Sequence, residues 1–159
     1  MNISNFFNKI EKMIIKIAVN FCFILLLTMI IINTVGVFYR YVLNSTLTWV
    51  PEMSRYFLVW LTLLGSVVAL GKEEHVSVTF FYKKLPNKIK IIFDIIKYLL
   101  VGYFSYVLLT AGMKFADTTY VGTFTKIPGR ITRSILPISG GLMLIISFHK
   151  LLKIIKNKN

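Results

Sequence analysis

The sequence predicts an all-α integral membrane protein with four transmembrane helices, both termini on the cytoplasmic side, and short amphipathic helical segments at the membrane interface. Hydrophobic residues make up 56% of the 159 residues, above the ~45–50% of soluble domains, and mean hydropathy is +0.72. Four apolar runs approach the ~20 residues that cross a bilayer. Since the chain is short, we expect a single domain covering residues 1–159.

The four predicted spans cover about residues 13–39, 49–70, 91–113 and 131–152. The first contains a long uncharged run that continues into Arg40 and Tyr41 without a small-residue cleavage site, so we interpret it as a retained helix rather than a signal peptide. The other three have shorter uncharged centres. Each must therefore place charged residues in its end turns.

Orientation is predicted from the distribution of Lys and Arg, which are retained on the cytoplasmic side of short connections. Lysines are concentrated before the first span, between the second and third, and after the fourth. The opposite side holds fewer basic residues, in a loop at 114–133 and at Arg40. Both termini are therefore predicted to be cytoplasmic.

Two cytoplasmic segments are predicted to lie at the membrane surface. The first places Lys9, Lys12 and Lys16 on one helical face opposite apolar residues, as in an interfacial helix. The second is an elbow at 79–90, in which aromatic side chains are expected to lie at the membrane interface and lysines to face the lipid phosphates. These residues are Phe80, Phe81, Tyr82, Lys83 and Lys84. We expect the net charge of +13 to serve contact with phospholipids, not with nucleic acid.

Glu52 and Arg55 are the strongest candidates for a functional role among the ionisable residues, because charge at membrane depth is costly and often functional. They lie three residues apart, a spacing at which helical side chains form an ion pair. The pair is typical either of a proton or ion site or of a structural contact near the outer end of the second span, and we favour the structural interpretation. Asp94 and Lys97 repeat the spacing and are interpreted in the same way.

Other polar, aromatic and small residues of the spans are interpreted as architecture or as contacts with a partner subunit. Trp49, Tyr56 and Trp60 form an aromatic ridge, although a lipid-facing aromatic belt is the alternative. Small residues allow helices to approach closely. This set also includes Arg40, a helix anchor, and His75, a lone histidine. Its small residues are Gly65, Gly140 and Gly141.

No residue pattern indicates catalysis. There is no phosphate-binding glycine loop, nucleophile motif or spaced metal ligand set, and the single cysteine, Cys22, lies inside an apolar run. We predict no enzyme activity, no catalytic, substrate-binding or metal residues, and no cofactor in this chain.

A series of short motifs occurs in order along the chain and continues into the fourth span: Tyr39–Asn44, Trp49–Glu52, Ser54–Tyr56, Trp60, Gly65, His75–Val78, Leu85–Pro86 and Leu136–Met143. In its order and spacing this series resembles the small permease subunit of TRAP transporters, the tripartite ATP-independent periplasmic transporters. Thr79 stands where the family usually has Asp, and Pro51 precedes Glu52.

The resemblance implies a small subunit that scaffolds a large membrane subunit in the bacterial inner membrane. In that family the large subunit carries the sodium and substrate sites, and a periplasmic binding protein delivers an organic acid. We lean to sialic acid as the substrate. The rival interpretation is a self-sufficient homodimeric exporter of cations or drugs, which would need a carboxylate deep within a span.

The outer loop is predicted to carry a positive surface, because its basic residues outnumber Asp117. Lys126, Arg130 and Arg133 are candidate docking residues for an acidic periplasmic protein. The alternative is that these side chains simply extend to the membrane surface at the start of the fourth span.

Overall fold

The computed structural model describes residues 3–72, 87–117 and 121–156, with side chains described for 9–72, 89–117 and 121–154. Within these ranges the chain forms four long helices and one short one, without a β-strand. The four long helices are apolar and long enough to cross a membrane, which confirms the all-α, four-span prediction. The helices are α1 Ile3–Tyr41, α2 Val50–Lys72, α3 Asn87–Ala116, α4 Gly129–Arg133 and α5 Ile135–Lys156.

At the side of the bundle opposite the termini, individual residues and their backbone geometry determine where the helices begin and end. After α1, Asn44 adopts a left-handed conformation (φ 48°) and turns the chain back toward α2. Pro51 lies in the first turn of α2, where its missing N–H removes no helical hydrogen bond. Pro128 precedes α4, and Ser134 links α4 to α5 through bonds to Arg130 and from Ile138. The fourth span is therefore α4 and α5 together.

The predicted amphipathic segment at the N-terminus is continuous with the first span. A single helix of 39 residues runs from Ile3 to Tyr41, about 58 Å at 1.5 Å per residue, against a hydrocarbon core of about 30 Å. Lys9, Lys12 and Lys16 are exposed on it. Their role as membrane-surface anchors stays a prediction.

The predicted cytoplasmic elbow falls largely outside the described residues. Of the range 79–90, the structure describes only the start of α3 at Asn87. The residues of this connection that lie outside the description include His75, Thr79, Phe80, Phe81, Tyr82, Lys83 and Lys84.

The four long helices are arranged in the order α1, α2, α5, α3. The α3–α5 and α1–α2 interfaces are the most extensive, and α2 and α5 join the two pairs. A core formed by Val67, Leu70, Tyr98, Met143 and Ile146 unites α2, α3 and α5. A second core lies between α1, α2 and the start of α5. The outer faces of α1 and α3 remain exposed and strongly apolar.

Gly140 sets the closeness of the α3–α5 pair. A Cβ atom at this position would lie 2.8 Å from the Leu109 nitrogen and 2.9 Å from the Ser105 carbonyl oxygen, both backbone atoms. This confirms the expected close approach at Gly140, whereas at Gly141 a Cβ would make an ordinary contact of 3.5 Å. At Gly65 it would meet no atom within 4 Å, so Gly65 serves no close approach among the described residues.

The bundle has two ends. The loop end contains the α1–α2 loop, Asp117 and residues 121–134. The terminal end contains the beginnings of α1 and α3 and the ends of α2 and α5, because consecutive long helices run in opposite directions.

Candidate functional site

A tight loop at 121–128 shapes the loop end. The Gly122 N–H donates to the Ile127 carbonyl at 2.9 Å, and the Lys126 N–H donates to Gly122 at 3.2 Å. Lys126 has φ 53°, in the left-handed region, and Val121 and Pro128 form an isolated antiparallel bridge. This geometry leaves three successive backbone N–H groups, at 123–125, without partners in the loop itself.

The Glu52 carboxylate accepts all three of those N–H groups. Its Oε1 accepts from Thr123 at 3.0 Å and from the Tyr56 hydroxyl at 2.8 Å, and its Oε2 accepts from Phe124 and Thr125 at 2.9 Å each. Concave runs of backbone N–H groups are anion-binding sites, and hydrogen bonds to an ionised acceptor are stronger than neutral ones. We call this arrangement of Glu52, Tyr56 and residues 123–125 the Glu52 clamp.

Gly122 is required by the closeness of the Glu52 clamp. A Cβ atom there would lie 2.5 Å from Thr125 Oγ1, 2.7 Å from Glu52 Oε1 and 3.1 Å from the Tyr56 hydroxyl oxygen. Glu52 is buried. The loop therefore closes over the carboxylate only because residue 122 has no side chain.

The predicted Glu52–Arg55 ion pair is wrong. Within the described part of the chain Arg55 is exposed, and its Nε donates to the Pro51 carbonyl at 3.3 Å. Both Glu52 oxygens instead face the loop, because three preorganised backbone donors bind a carboxylate without ordering a long side chain. Arg55 still borders the clamp, lining a cavity of about 180 Å³ together with Glu52 and Tyr56.

The aromatic ridge of α2 turns out to be used mainly within the chain. Trp60 Nε1 donates to the Thr132 carbonyl at 2.9 Å, and its indole lies 6.0 Å from the Phe21 ring. Tyr56 belongs to the Glu52 clamp. Trp49 is 37% exposed, and the exposed Arg40 guanidinium lies 5.7 Å from the Tyr41 ring, so these two residues stay available to a neighbour.

Two further carboxylates make exposed or partly exposed ion pairs. Asp94 and Lys97 meet at 3.2 Å, which confirms the predicted contact; pairs of this kind contribute about 0.3–0.5 kcal/mol. Asp117 binds Arg130 at 2.8 Å, and the Arg133 guanidinium lies 4.1 Å from the Phe115 ring. Two of the three candidate docking residues are thus held against the end of α3, while Lys126 is exposed.

A buried charged cluster at the terminal end was missed by the sequence reasoning. The Glu11 carboxylate lies 2.7 Å from His149 Nδ1 and 3.3 Å from Lys150 Nζ, and Lys150 also donates to the Gly71 carbonyl at 3.0 Å. The cluster ties α1 and α2 to the end of α5. Its signal in the sequence is that Glu11 is the only acid among the first 51 residues, in a segment otherwise rich in lysine.

Comparison with known proteins identifies relatives in sequence. Residues 29–157 match the family described as tripartite ATP-independent periplasmic transporters, DctQ component. A TRAP transporter small permease protein of Haemophilus influenzae is 42% identical over 65 residues, covering 41% of this chain and 40% of that protein.

Two other relatives carry sialic acid in their names. The sialic acid TRAP transporter small permease protein SiaQ of Vibrio cholerae is 35% identical over 52 residues, or 33% of this chain and 30% of that protein. The sialic acid TRAP transporter permease protein SiaT of H. influenzae is 37% identical over 51 residues, which cover 32% of this chain and only 8% of that protein. The matched segments thus span less than half the length of each of these curated relatives.

We predict that Glu52→Gln opens the loop to proteolysis. The glutamine amide has only one acceptor oxygen. Its NH₂ group is itself a donor, so it cannot accept hydrogen bonds from the backbone N–H groups of the loop. Cleavage by trypsin after Lys126 in the detergent-solubilised protein should accelerate on the order of tenfold, because local opening exposes the peptide bond. Asp94→Asn is the matched control, since it removes a carboxylate from an ion pair at the other end. Equal cleavage rates in the two variants would contradict the role of the Glu52 clamp.

Proposed function

The chain belongs to the DctQ-component family of the tripartite ATP-independent periplasmic transporters, and we propose that it scaffolds the large subunit of a sodium-coupled transporter for organic-acid uptake. The family consists of transporter permease subunits and not of enzymes. Within it, this chain is a multi-pass membrane protein. The partner, the coupling ion and the substrate class are the parts that we propose.

The observation that carries the proposal is that the described carboxylates bind partners within the chain. Each of the four acidic side chains in the described ranges binds a partner within the chain: Glu11 the terminal-end cluster, Glu52 the loop, Asp94 Lys97, and Asp117 Arg130. Ion and proton pathways in membranes depend on polar or ionisable groups that face a cavity or substrate. Glu11, Glu52 and Asp117 instead join separate elements of the bundle, and Asp94 pairs within α3, which supports scaffolding over a self-sufficient exporter.

The exposed apolar faces support the proposal that a partner protein lies beside this chain in the same membrane. The linear order α1, α2, α5, α3 leaves a broad surface on either side, which suits contact with lipid or with helices of a large subunit. Gly65 is a candidate contact, because a partner helix approaches most closely over small residues and nothing in the described chain lies within 4 Å of its Cβ position. Trp49 and Arg40 are the other outward-facing candidates.

For orientation, we propose that the terminal end faces the cytoplasm of a bacterial cell, across its inner membrane. The exposed lysines of α1 support this placement, since positive residues are retained inside. The loop end then faces the periplasm, where Lys126, Arg130 and Arg133 form a surface for an acidic binding protein. For the substrate we propose sialic acid, in line with the names of two relatives.

Reconstitution tests the scaffold. Proteoliposomes containing the large subunit, the binding protein and a sodium gradient should take up labelled N-acetylneuraminic acid only when this chain is present, and uptake should fall to near background without it. A full uptake rate in its absence would overturn the scaffold proposal. Purification of the chain as a homodimer that exchanges cations for protons, with no large subunit, would favour the exporter.

Charge reversal tests the docking surface. We expect Arg130→Glu with Arg133→Glu to raise the binding-protein concentration needed for half-maximal uptake several-fold and to weaken its salt dependence, because long-range attraction is screened by ions. Lys9→Glu is the matched control at the terminal end and should leave both quantities unchanged. Docking elsewhere is indicated if the double variant retains the salt dependence of the unaltered chain.

A further inference from the structure

A groove on the membrane-facing side of the α3–α5 pair has features of a ligand site. Its volume is about 370 Å³, and its walls include Tyr98, Gly102, Tyr103 and Tyr106 of α3 with Ser147 and Phe148 of α5. Among the described residues, a Cβ atom at Gly102 would meet no atom within 4 Å. The groove is therefore a genuine gap beside a glycine and not a site of tight helix packing.

Ser147 gives the groove a polar position. The side chain is 1% exposed, and in the described part of the chain its hydroxyl oxygen has no hydrogen-bond partner. A buried hydroxyl without a partner is unfavourable. A ligand that brings an oxygen acceptor to this depth would remove that penalty.

The ammonium of Lys97 lies at the terminal-end rim of the same groove. Its Nζ is 4.4 Å from the ring of Tyr98, which lines the groove, and the side chain keeps 36% of its surface exposed while it pairs with Asp94. The Lys97 ammonium therefore places a partly exposed positive group beside the groove, where it can contact an anionic group.

The order of these features along the groove follows from the register of the two helices. Gly140 lies against Ser105 and Leu109, and antiparallel packing places Ser147, seven residues later, level with about residues 98–102. Ser147 is therefore about one turn, 5.4 Å, deeper in the membrane than Lys97. From the rim inward, the groove presents a cation, a hydroxyl and then an apolar channel toward Tyr106.

We propose that this groove binds one anionic phospholipid of the leaflet at the terminal end. The phosphate lies at Lys97, an ester carbonyl oxygen accepts a hydrogen bond from Ser147, and one acyl chain follows Gly102 toward Tyr106. This sequence of charge, acceptor and hydrocarbon is that of a phospholipid read from headgroup to chain. The inference does not depend on the transport partner.

The size of the groove argues for a lipid chain over a helix of another protein. From Tyr98 to Tyr106 the groove is about 12 Å long. A helix 10–12 Å across displaces on the order of 1,000 Å³ over that length, more than twice the volume of 370 Å³. A flexible chain fits without separating the walls.

Native mass spectrometry of the full-length chain, titrated with phosphatidylglycerol in detergent, tests the site. Gly102→Leu adds a side chain where a Cβ meets no described atom within 4 Å, and we expect it to occupy the groove and to weaken binding of the first phosphatidylglycerol at least tenfold. Gly65→Leu is the matched control, because its Cβ also meets no atom within 4 Å; it should bind as the unaltered chain does. Circular dichroism verifies that both variants keep their helix content.

Two more variants test the polar contacts. Ser147→Ala should weaken binding several-fold, and Lys97→Gln should reduce the preference for phosphatidylglycerol over phosphatidylcholine. Equal binding by Gly102→Leu and Gly65→Leu would overturn the site, as would an unaltered chain with no preference between the two lipids. Cross-linking of a cysteine at residue 102 to a protein partner in native membranes would assign the groove to a helix and would likewise overturn the proposal.

Discussion

The four hydrogen bonds accepted by the Glu52 carboxylate constrain the loop end of this bundle more than any other contact. Three of them tie the first turn of α2 to a loop 71–73 residues later in the chain, directly before the fourth span begins, and the fourth comes from Tyr56 within α2. Because Trp60 of α2 also holds the Thr132 carbonyl in α4, the entry of the fourth span is fixed from one helix at two levels. The positions of α5, and of α3 packed against it, depend on that entry.

The scarcity of acids explains why so much depends on single carboxylates. The chain has 19 basic residues and six acids, and a polar group within or near hydrocarbon must find a partner in the protein. At the loop end the partner is the backbone, and at the terminal end it is the Glu11 cluster with His149 and Lys150. Glu11 joins α1 to α5 and Glu52 joins α2 to the loop, so both ends of the bundle are held by few contacts.

Much of the fold could be predicted from the sequence, because span length and apolar content decide where helices cross a bilayer. The Asp94–Lys97 contact could also be predicted, since both residues share one helix and their spacing decides the geometry. The partner of Glu52 could not, because it is the backbone of a loop whose shape depends on Gly122 and on the left-handed Lys126. The Glu11 cluster was missed for a related reason: Glu11 is 138 residues from His149 in the chain, and helical periodicity gives no information on such contacts. Gly65 shows the opposite limit, since a small residue in a span has no close neighbour within the described chain.

Amide hydrogen exchange measured residue by residue on the unaltered full-length chain tests the central role of the Glu52 clamp most directly. Although they lie in a surface loop, the amides of Thr123, Phe124 and Thr125 should exchange slowly, at rates comparable to those near the helix ends. The α1–α2 loop at 43–48, on the same end of the bundle, provides the internal comparison and should exchange faster. Equally fast exchange in the two loops would contradict the account, because the carboxylate would then not hold the loop.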